Sequence, residues 1–270
     1  MRYDVAIITV STNKLDEECL SSVKTMLDLT PLRSCFVVVD NGSTVFDAHT
    51  YVRNAVPDAI VILRNRNHGF GRSCNHGAVS VQADYYFFLN PDTVVNDTNI
   101  LSELRDFLKK HAKIGIAAPK IVYPDGRLQE TCRRFPAWYT PIAQRTDILP
   151  KRWSTAHREW FAMGDYNHET ARPVDWVQGS AFLIDGDLFR KLGGFDERFF
   201  MYYEDVDLCR RCWGEGRAVY YLPSVSLTHT YGKESAQGTD SLNGILRNKK
   251  TRAHIHSWLA YTAKWLGESV

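Results

Sequence analysis

Three acids fall within four residues in Phe200-Met201-Tyr202-Tyr203-Glu204-Asp205-Val206-Asp207-Leu208, and aromatic residues frame them. A helix starting near Glu204 would gather these acids on its first turn, where the helix dipole favours negative charge. A carboxylate fixed there can serve as a general base toward a hydroxyl. The competing structural use is helix capping with an ion pair to Arg210 or Arg211. A further acid, Asp92, follows the apolar run Tyr85 to Leu89 in Asn90-Pro91-Asp92. A carboxylate at a strand end can hold a hard divalent cation, and that cation can neutralise a diphosphate. His229, in Ser226-Leu227-Thr228-His229-Thr230, adds an imidazole whose candidacy depends on its neighbours.

Two other patterns point away from their usual chemistry. Asn67-His68-Gly69-Phe70-Gly71-Arg72-Ser73-Cys74-Asn75 contains G-x-G, but Cys74 stands where a dinucleotide fold needs a third glycine, and the segment does not follow the first strand. Glycines opening a helix still admit a phosphate or ribose closely. Cys209 and Cys212 form a C-x-x-C without a second ligand pair, so they read as one helical turn facing the core rather than a zinc site.

The elements that must position these groups alternate. Val5 to Val10, Cys35 to Val39, Ala59 to Leu63 and Tyr85 to Leu89 are compact apolar runs, as expected of strands buried on both faces. Between them, Leu20, Val23 and Leu27 recur at helical spacing behind Asp16, Glu17 and Glu18, and Ile100, Leu101, Leu104, Phe107 and Leu108 mark another helix. Alternating strands and helices predict a doubly wound parallel sheet, with its ligand crevice beyond the carboxyl ends of the strands. Small polar or acidic residues follow three of those ends: Ser11-Thr12-Asn13, Asp40-Asn41-Gly42-Ser43 and Asn90-Pro91-Asp92-Thr93. Each alone reads as a turn or cap; three on one rim read as a site.

From Pro136 to Asp175 the periodicity is lost, leaving an acceptor-binding excursion or a loop packed by its own aromatics. Trp176 to Ile184 then reads as a strand. Asp185 to Leu192 reads as a short helix closed by Gly193-Gly194, Asp205 to Trp213 as a helix and Ala218 to Leu222 as a strand. The tail from Leu242 to Leu266 carries a helical stripe at 255, 258, 259, 262, 265 and 266 beside Arg247, Lys249, Lys250, Arg252 and Lys264. Such a basic amphipathic helix either lies on an anionic membrane surface or docks on the domain.

The bulk numbers fit one elaborated domain of 270 residues, 44% hydrophobic and 24% charged. A net charge of +2 gives no reason to expect nucleic acid as a partner. No apolar run approaches the ~20 residues that cross a bilayer, and the start lacks a signal-peptide pattern, so a cytoplasmic protein is expected.

Taken together, the motifs resemble glycosyltransferase family 2 with the GT-A fold, from about residue 4 to 235. Val10-Ser11-Thr12-Asn13 is similar to the family's first nucleotide-binding turn, with Thr12 where an aromatic is common. Val38-Val39-Asp40-Asn41-Gly42-Ser43 resembles the second turn, and Asn67-x-Gly69-Phe70-Gly71-x-x-x-Asn75 resembles the segment beside the nucleotide. Leu89-Asn90-Pro91-Asp92 stands at the DXD position, with Asn90 replacing the first acid. Trp176-Val177-Gln178-Gly179-Ser180 with Gly193-Gly194-Phe195-Asp196-Glu197 resembles the acceptor-side half, and Glu204-Asp205 its "ED" motif.

The resemblance implies an α/β domain over 1–240, with a nucleotide-binding half (1–95), an acceptor half (96–240) and a helical tail (241–270). It implies a nucleotide-sugar site at Val10, Ser11, Asn13, Asp40, Asn67, Gly71, Asn75, Asn90 and Asp92, and an acceptor site at Trp176, Gln178, Gly179 and Glu204. Asp205 is the implied base, and Asp92 and His229 the implied ligands of Mg²⁺ or Mn²⁺. Asn-Pro-Asp, Arg133-Arg134-Phe135-Pro136, Val174-Asp175-Trp176 and Phe-Met-Tyr-x-Glu-Asp-x-Asp-Leu-Cys look most like bacterial rhamnosyltransferases of surface-polysaccharide assembly. Those use dTDP-rhamnose and polyprenyl-diphosphate-linked acceptors. Galactofuranosyl and other UDP-sugar transferases share much of the pattern. A sugar-nucleotide pyrophosphorylase would want a glycine- and basic-rich loop after the first strand, which Ser11-Thr12-Asn13 does not supply. A non-catalytic sugar-nucleotide-binding module would tolerate loss of the base and the histidine, and both are present.

Overall fold

The computed structural model describes residues 2–145, 148–230 and 248–267. β1 (Arg2–Ser11) sends Ala6, Ile8 and Val10 into one apolar cluster and Val5 and Ile7 into another on the opposite face. That two-sided burial is what an apolar run without polar alternation requires. α1 (Glu17–Leu29), β2 (Ser34–Asp40), α2 (Ala48–Ala55), β3 (Ile60–Leu63), α3 (Phe70–Val79) and β4 (Gln82–Leu89) follow as alternating units. Next come the short β5 (Thr93–Val94), α4 (Ile100–Lys110), β6 (Ile114–Val122) and β7 (Cys132–Arg133), and then α5 (Thr140–Arg145) and α6 (Lys151–Phe161). β8 (Arg172–Pro173), β9 (Trp176–Val177), β10 (Ala181–Asp185), α7 (Gly186–Lys191), α8 (Glu204–Gly214), β11 (Ala218–His229) and α9 (Lys249–Lys264) complete the described chain.

The central sheet runs β3-β2-β1-β4-β10-β6-β11-β5, with β8 also on β11. β1 to β4, β6 and β11 point the same way, so their carboxyl ends form one rim. β10 lies antiparallel between β4 and β6. This reversal delivers the residues entering β10, rather than those leaving it, to that same rim. Asn90 at the end of β4 donates its N–H to the Ser180 carbonyl at 2.8 Å, which joins the two halves of the site.

The structure differs from the sequence reading in three places. The aperiodic stretch after Pro136 contains α5 and α6. Only Ser154 and Phe161 of α6 are buried, so this helix has almost no inward stripe to reveal it. The expected single strand from Trp176 to Ile184 is two, broken at Gln178-Gly179-Ser180, with β9 pairing to β7 in a separate ribbon. The strand after Ala218 continues to His229, with a register irregularity between Leu222 and Ser226.

The tail helix α9 is docked on the domain. Ser257 Oγ donates to the Met201 carbonyl at 2.9 Å, and Arg210 donates to the buried Tyr261 hydroxyl at 3.1 Å. Trp265 Nε1 donates to Asp207 at 2.9 Å, and Lys264 Nζ reaches both Asp207 and Asp196 at 2.7 Å. The expected boundary at 240–241, together with Leu242 and Arg247, lies outside the described residues.

Candidate active site

The acidic segment is carried by a strained turn. Tyr202 (φ 70°) and Tyr203 (φ 68°) both occupy the left-handed region, which costs a non-glycine residue of order 1–3 kcal/mol. Packing on both sides compensates. Phe70 at the start of α3 donates its N–H to the Phe200 carbonyl at 3.0 Å. Gly69 precedes it at φ +91°, where a Cβ would lie 2.2 Å from the Phe200 oxygen, so glycine is required. On the other side the Tyr203 ring packs on Tyr261 and His254 of α9, with centroids 5.2 and 5.5 Å apart. The turn thereby fixes where α8 begins and which way its first acids point.

The three acids have separate surroundings. Asp207 makes the ion pair that the structural reading assigned to this cluster, bonding Arg211 at 2.7 Å. Asp205 Oδ2 accepts the Gly179 N–H and its Oδ1 accepts the Val206 N–H, both at 2.9 Å. Burial raises the Asp205 carboxyl above the ordinary range, opposed by those two N–H donors and by Arg133. Glu204 is raised well above its ordinary value, first by burial and then by the Asp205 charge, and its Oε2 has no hydrogen-bond partner. Asp205 accepts two backbone N–H groups, whereas Glu204 leaves Oε2 without a donor, so burial disfavours the charged form of Glu204 more strongly than that of Asp205.

Both acids line a cavity of ≈ 400 Å³ together with Asn90, Arg133, Trp176 and Gln178. The break between β9 and β10 is what places Gln178 and Gly179 there. Gln178 is pinned by its N–H to the Thr131 carbonyl at 2.8 Å, and Trp176 by its indole N–H to the Arg134 carbonyl at 2.8 Å. A cavity holding a poised carboxylate, an arginine and aromatic walls suits a polar, ring-bearing ligand with a hydroxyl to be deprotonated.

Further along the rim, Asp92 meets His229. The pairing of β5 with β11 sets His229 opposite Thr93, and the Thr230 N–H bonds the Asp92 carbonyl at 3.0 Å. His229 Nε2 lies 3.0 Å from Asp92 Oδ1, and Lys14 Nζ lies 3.1 Å from Asp92 Oδ2. Burial would raise the Asp92 carboxyl, but the hydrogen bond and charge of His229, then Lys14, outweigh it and hold it below the usual range. Gln129 sets the histidine's tautomer: its amide Nε2 donates to the His229 carbonyl at 2.7 Å, so its Oε1 accepts from Nδ1–H at 3.0 Å. Nε2 is thereby turned toward the Asp92 carboxylate, 3.0 Å from Oδ1. One carboxylate oxygen and one imidazole nitrogen are suitable donors for Mn²⁺ or Mg²⁺. Among the described residues no cluster of three or more His, Cys, Asp or Glu side chains forms.

The first two turns interlock at the rim. Asn13 (φ 57°) accepts the Thr44 N–H at 2.7 Å and donates its own N–H to Ser43 Oγ at 2.8 Å. Asp40 accepts the Ser43 N–H at 3.2 Å. Asn67 Oδ1 accepts from Asn41 Nδ2 at 3.0 Å and from the Gly69 N–H at 2.8 Å. Val10 is buried beneath them and Ser11 Oγ closes the turn on the Lys14 carbonyl at 3.0 Å. Ser11, Asn13, Asp40, Asn67, Asn90 and Asp92 therefore share one rim.

Gly71 and Asn75, from the same motif, are in contact with Phe195. A Cβ on Gly71 would come within 2.9 Å of Phe195, and both ends of the Asn75 amide bond the Phe195 backbone, at 2.8 and 2.9 Å. Lys14 and Gln129 were not singled out from the sequence. Lys14 follows a rim strand, which is a usable signal, whereas Gln129 lies in an irregular stretch that gives none.

The family model described as Glycosyl transferase family 2 matches residues 5–164. An N-acetylglucosaminyl-diphospho-decaprenol L-rhamnosyltransferase of Mycobacterium tuberculosis (strain CDC 1551 / Oshkosh) is 29% identical over 248 residues, covering 85% of this chain and 78% of that protein. Rhamnosyltransferase WbbL of Escherichia coli (strain K12) is 24% identical over 204 residues, covering 73% and 71%. The crystal structure of GalNAc-T7 with UDP, GalNAc and Mn²⁺ superposes with a TM-score of 0.68 at 16% identity. It covers 98% of this chain and 48% of that one, so the chain spans about half its length. The likeness establishes the fold, a GT-A sheet with its helices.

Proposed function

This chain belongs to glycosyl transferase family 2, and from that premise we propose that it transfers a sugar, rhamnose from dTDP-rhamnose, to a glycan or polyprenyl-diphosphate-linked acceptor with inversion at the anomeric carbon. The observation that carries the reading is Asp205, a buried carboxylate held by the Gly179 N–H at 2.9 Å on the wall of the ≈ 400 Å³ cavity. The rhamnosyl assignment draws on the names of the relatives of Mycobacterium tuberculosis and Escherichia coli, and the lipid-linked one on the diphospho-decaprenol in the name of the former.

In this mechanism the donor nucleotide lies along the rim of Ser11, Asp40, Asn67 and Asn90, with Asp40 accepting from its base, and the acceptor hydroxyl enters the cavity. Gln178 and Trp176 orient the acceptor, and Glu204, holding its proton, donates a hydrogen bond to it. Asp205 removes the hydroxyl proton as that oxygen bonds to the anomeric carbon from the face opposite the leaving group. The bond from that carbon to the diphosphate oxygen breaks, and its electron pair leaves with the nucleotide. Asp92 and His229 would hold Mg²⁺ or Mn²⁺, which when bound supplies positive charge for the diphosphate. Lys14 contributes a fixed positive charge at the same place. Buried, unpaired thiols at all six cysteines suit the reducing cytoplasm, where nucleotide sugars are available.

A panel of nucleotide sugars with Mg²⁺ or Mn²⁺, scored by protection against thermal unfolding, tests the donor. A ligand that binds the native state raises its stability with occupancy. Metal-dependent protection by dTDP-rhamnose supports the rhamnosyl reading. Protection by UDP-sugars alone replaces the donor, and silence across the panel overturns nucleotide-sugar binding.

A further inference from the structure

Large apolar side chains crowd the outer surface of α5 and α6. Trp153 is 73% exposed and Trp138 63%, and Tyr139, Ile148 and Trp160 also lie open. Several of these rings, with Arg152 and His157, line a groove of ≈ 750 Å³. Scattered exposed apolar residues need no explanation, but a contiguous patch marks an interaction surface. Among the described residues, the charges at the start of α6 are of one sign. Lys151 and Arg152 are exposed there and no acid occupies the first turn, the reverse of what the helix dipole prefers. Tryptophan and tyrosine rings set among lysines and arginines are the chemistry of an anionic bilayer surface, where the rings settle at headgroup depth and the cations meet lipid phosphates.

The position of this surface matters as much as its composition. From α5, Thr140, Pro141 and Gln144 line the cavity that holds Asp205. One short helix thus separates the aromatic face from the acceptor cavity. The tail helix is arranged differently. Ser257, Tyr261, Lys264 and Trp265 are all committed to the domain, and Trp258 Nε1 donates to the Trp138 carbonyl at 2.9 Å. α9 buttresses the aromatic surface, leaving Arg252, Ile255 and Leu259 exposed.

We infer that the outer face of α5 and α6, rather than the basic tail helix, seats the protein on an anionic membrane surface and opens its acceptor cavity beside the lipid headgroups. This rests on the reading of the acceptor as lipid-linked. Among the described residues no helix is long and apolar enough to cross a membrane, so contact through this face is of the peripheral kind.

The test is sedimentation of the full chain with vesicles of phosphatidylcholine alone or with added phosphatidylglycerol, at low and high salt. Three variants accompany it: Lys151→Glu/Arg152→Glu together, the same pair with Trp153→Ser, and Lys249→Glu/Arg252→Glu on α9. The wild type should sediment with the anionic vesicles and be released by salt, and the triple variant should bind at least about tenfold more weakly. Its melting temperature and its turnover on a water-soluble acceptor should match the wild type, while turnover on a vesicle-embedded acceptor falls. Wild-type protein remaining in the supernatant, a triple variant that sediments normally, or loss confined to the α9 variant would overturn the inference. Dimers that the triple variant dissociates would do so as well, by making this face a contact between copies. Absence of turnover on any soluble acceptor would count against the transferase reading independently of sedimentation.

Discussion

Asp205 accepts the backbone N–H of Gly179 at 2.9 Å, and this single bond ties the first turn of α8 to the break that precedes β10. The two residues are 26 positions apart in sequence. They meet because β10 runs antiparallel to its neighbours and so begins, rather than ends, at the ligand rim. A glycine suits the contact because of the Phe70 ring, which a Cβ there would approach to 3.3 Å, while its 3.6 Å distance to Asp205 Oδ2 would be an ordinary contact.

Glu204 should reveal its burial through pH. Its folded pKa is raised, by burial and then by Asp205, so its stabilising contribution is complete below the ordinary glutamate range and is lost as pH rises through the raised value. Glu204→Gln should therefore increase stability in alkaline solution by about 1–3 kcal/mol, the range for relieving an unsatisfied buried group. The gain should vanish in acid. Melting curves of both proteins across pH check this; a variant destabilised equally at every pH would contradict it.

Asp207 should behave differently from its neighbour. It is fully buried and accepts from Arg211, Lys264 and Trp265, so it joins α8 to α9. Asp207→Ala removes the carboxylate partner of Arg211, the acceptor of Trp265 and one of the two carboxylates on Lys264, and should cost about 3 kcal/mol. Denaturant midpoints measure the loss, and proteolysis within α9 should accelerate with it.

Gln129 supports the histidine rather than touching substrate. Gln129→Leu removes the acceptor for His229 Nδ1–H and should raise the Mn²⁺ concentration giving half-maximal turnover by about 10–100-fold. A Mn²⁺ titration of activity shows the shift. An unchanged midpoint would separate His229 from metal binding.

Much of this site could be read from the sequence because it sits at strand ends. Ser11, Asp40 and Asn90 follow apolar runs, and a parallel sheet must bring such positions to one edge. Strand direction is not encoded in composition, so the reversal of β10 and the meeting of Gly179 with Asp205 could be expected only from family resemblance. Gly71 and Asn75 share a motif with Asn67, yet the winding of α3 turns them toward Phe195. α6 lacked a pattern because its tryptophans face outward. The tail had a clear helical stripe, but the stripe could not say that Lys264 and Trp265 end on Asp207.

The most direct test of the account is the turnover of Asp205→Asn with donor affinity measured on the same protein. Asparagine keeps the size of the side chain and an oxygen for the Gly179 N–H, but it cannot accept the acceptor's proton. Turnover should fall by about 10²–10⁴-fold while nucleotide-sugar binding stays near wild type. Near-normal turnover would contradict Asp205 as the base, and with it the proposed mechanism.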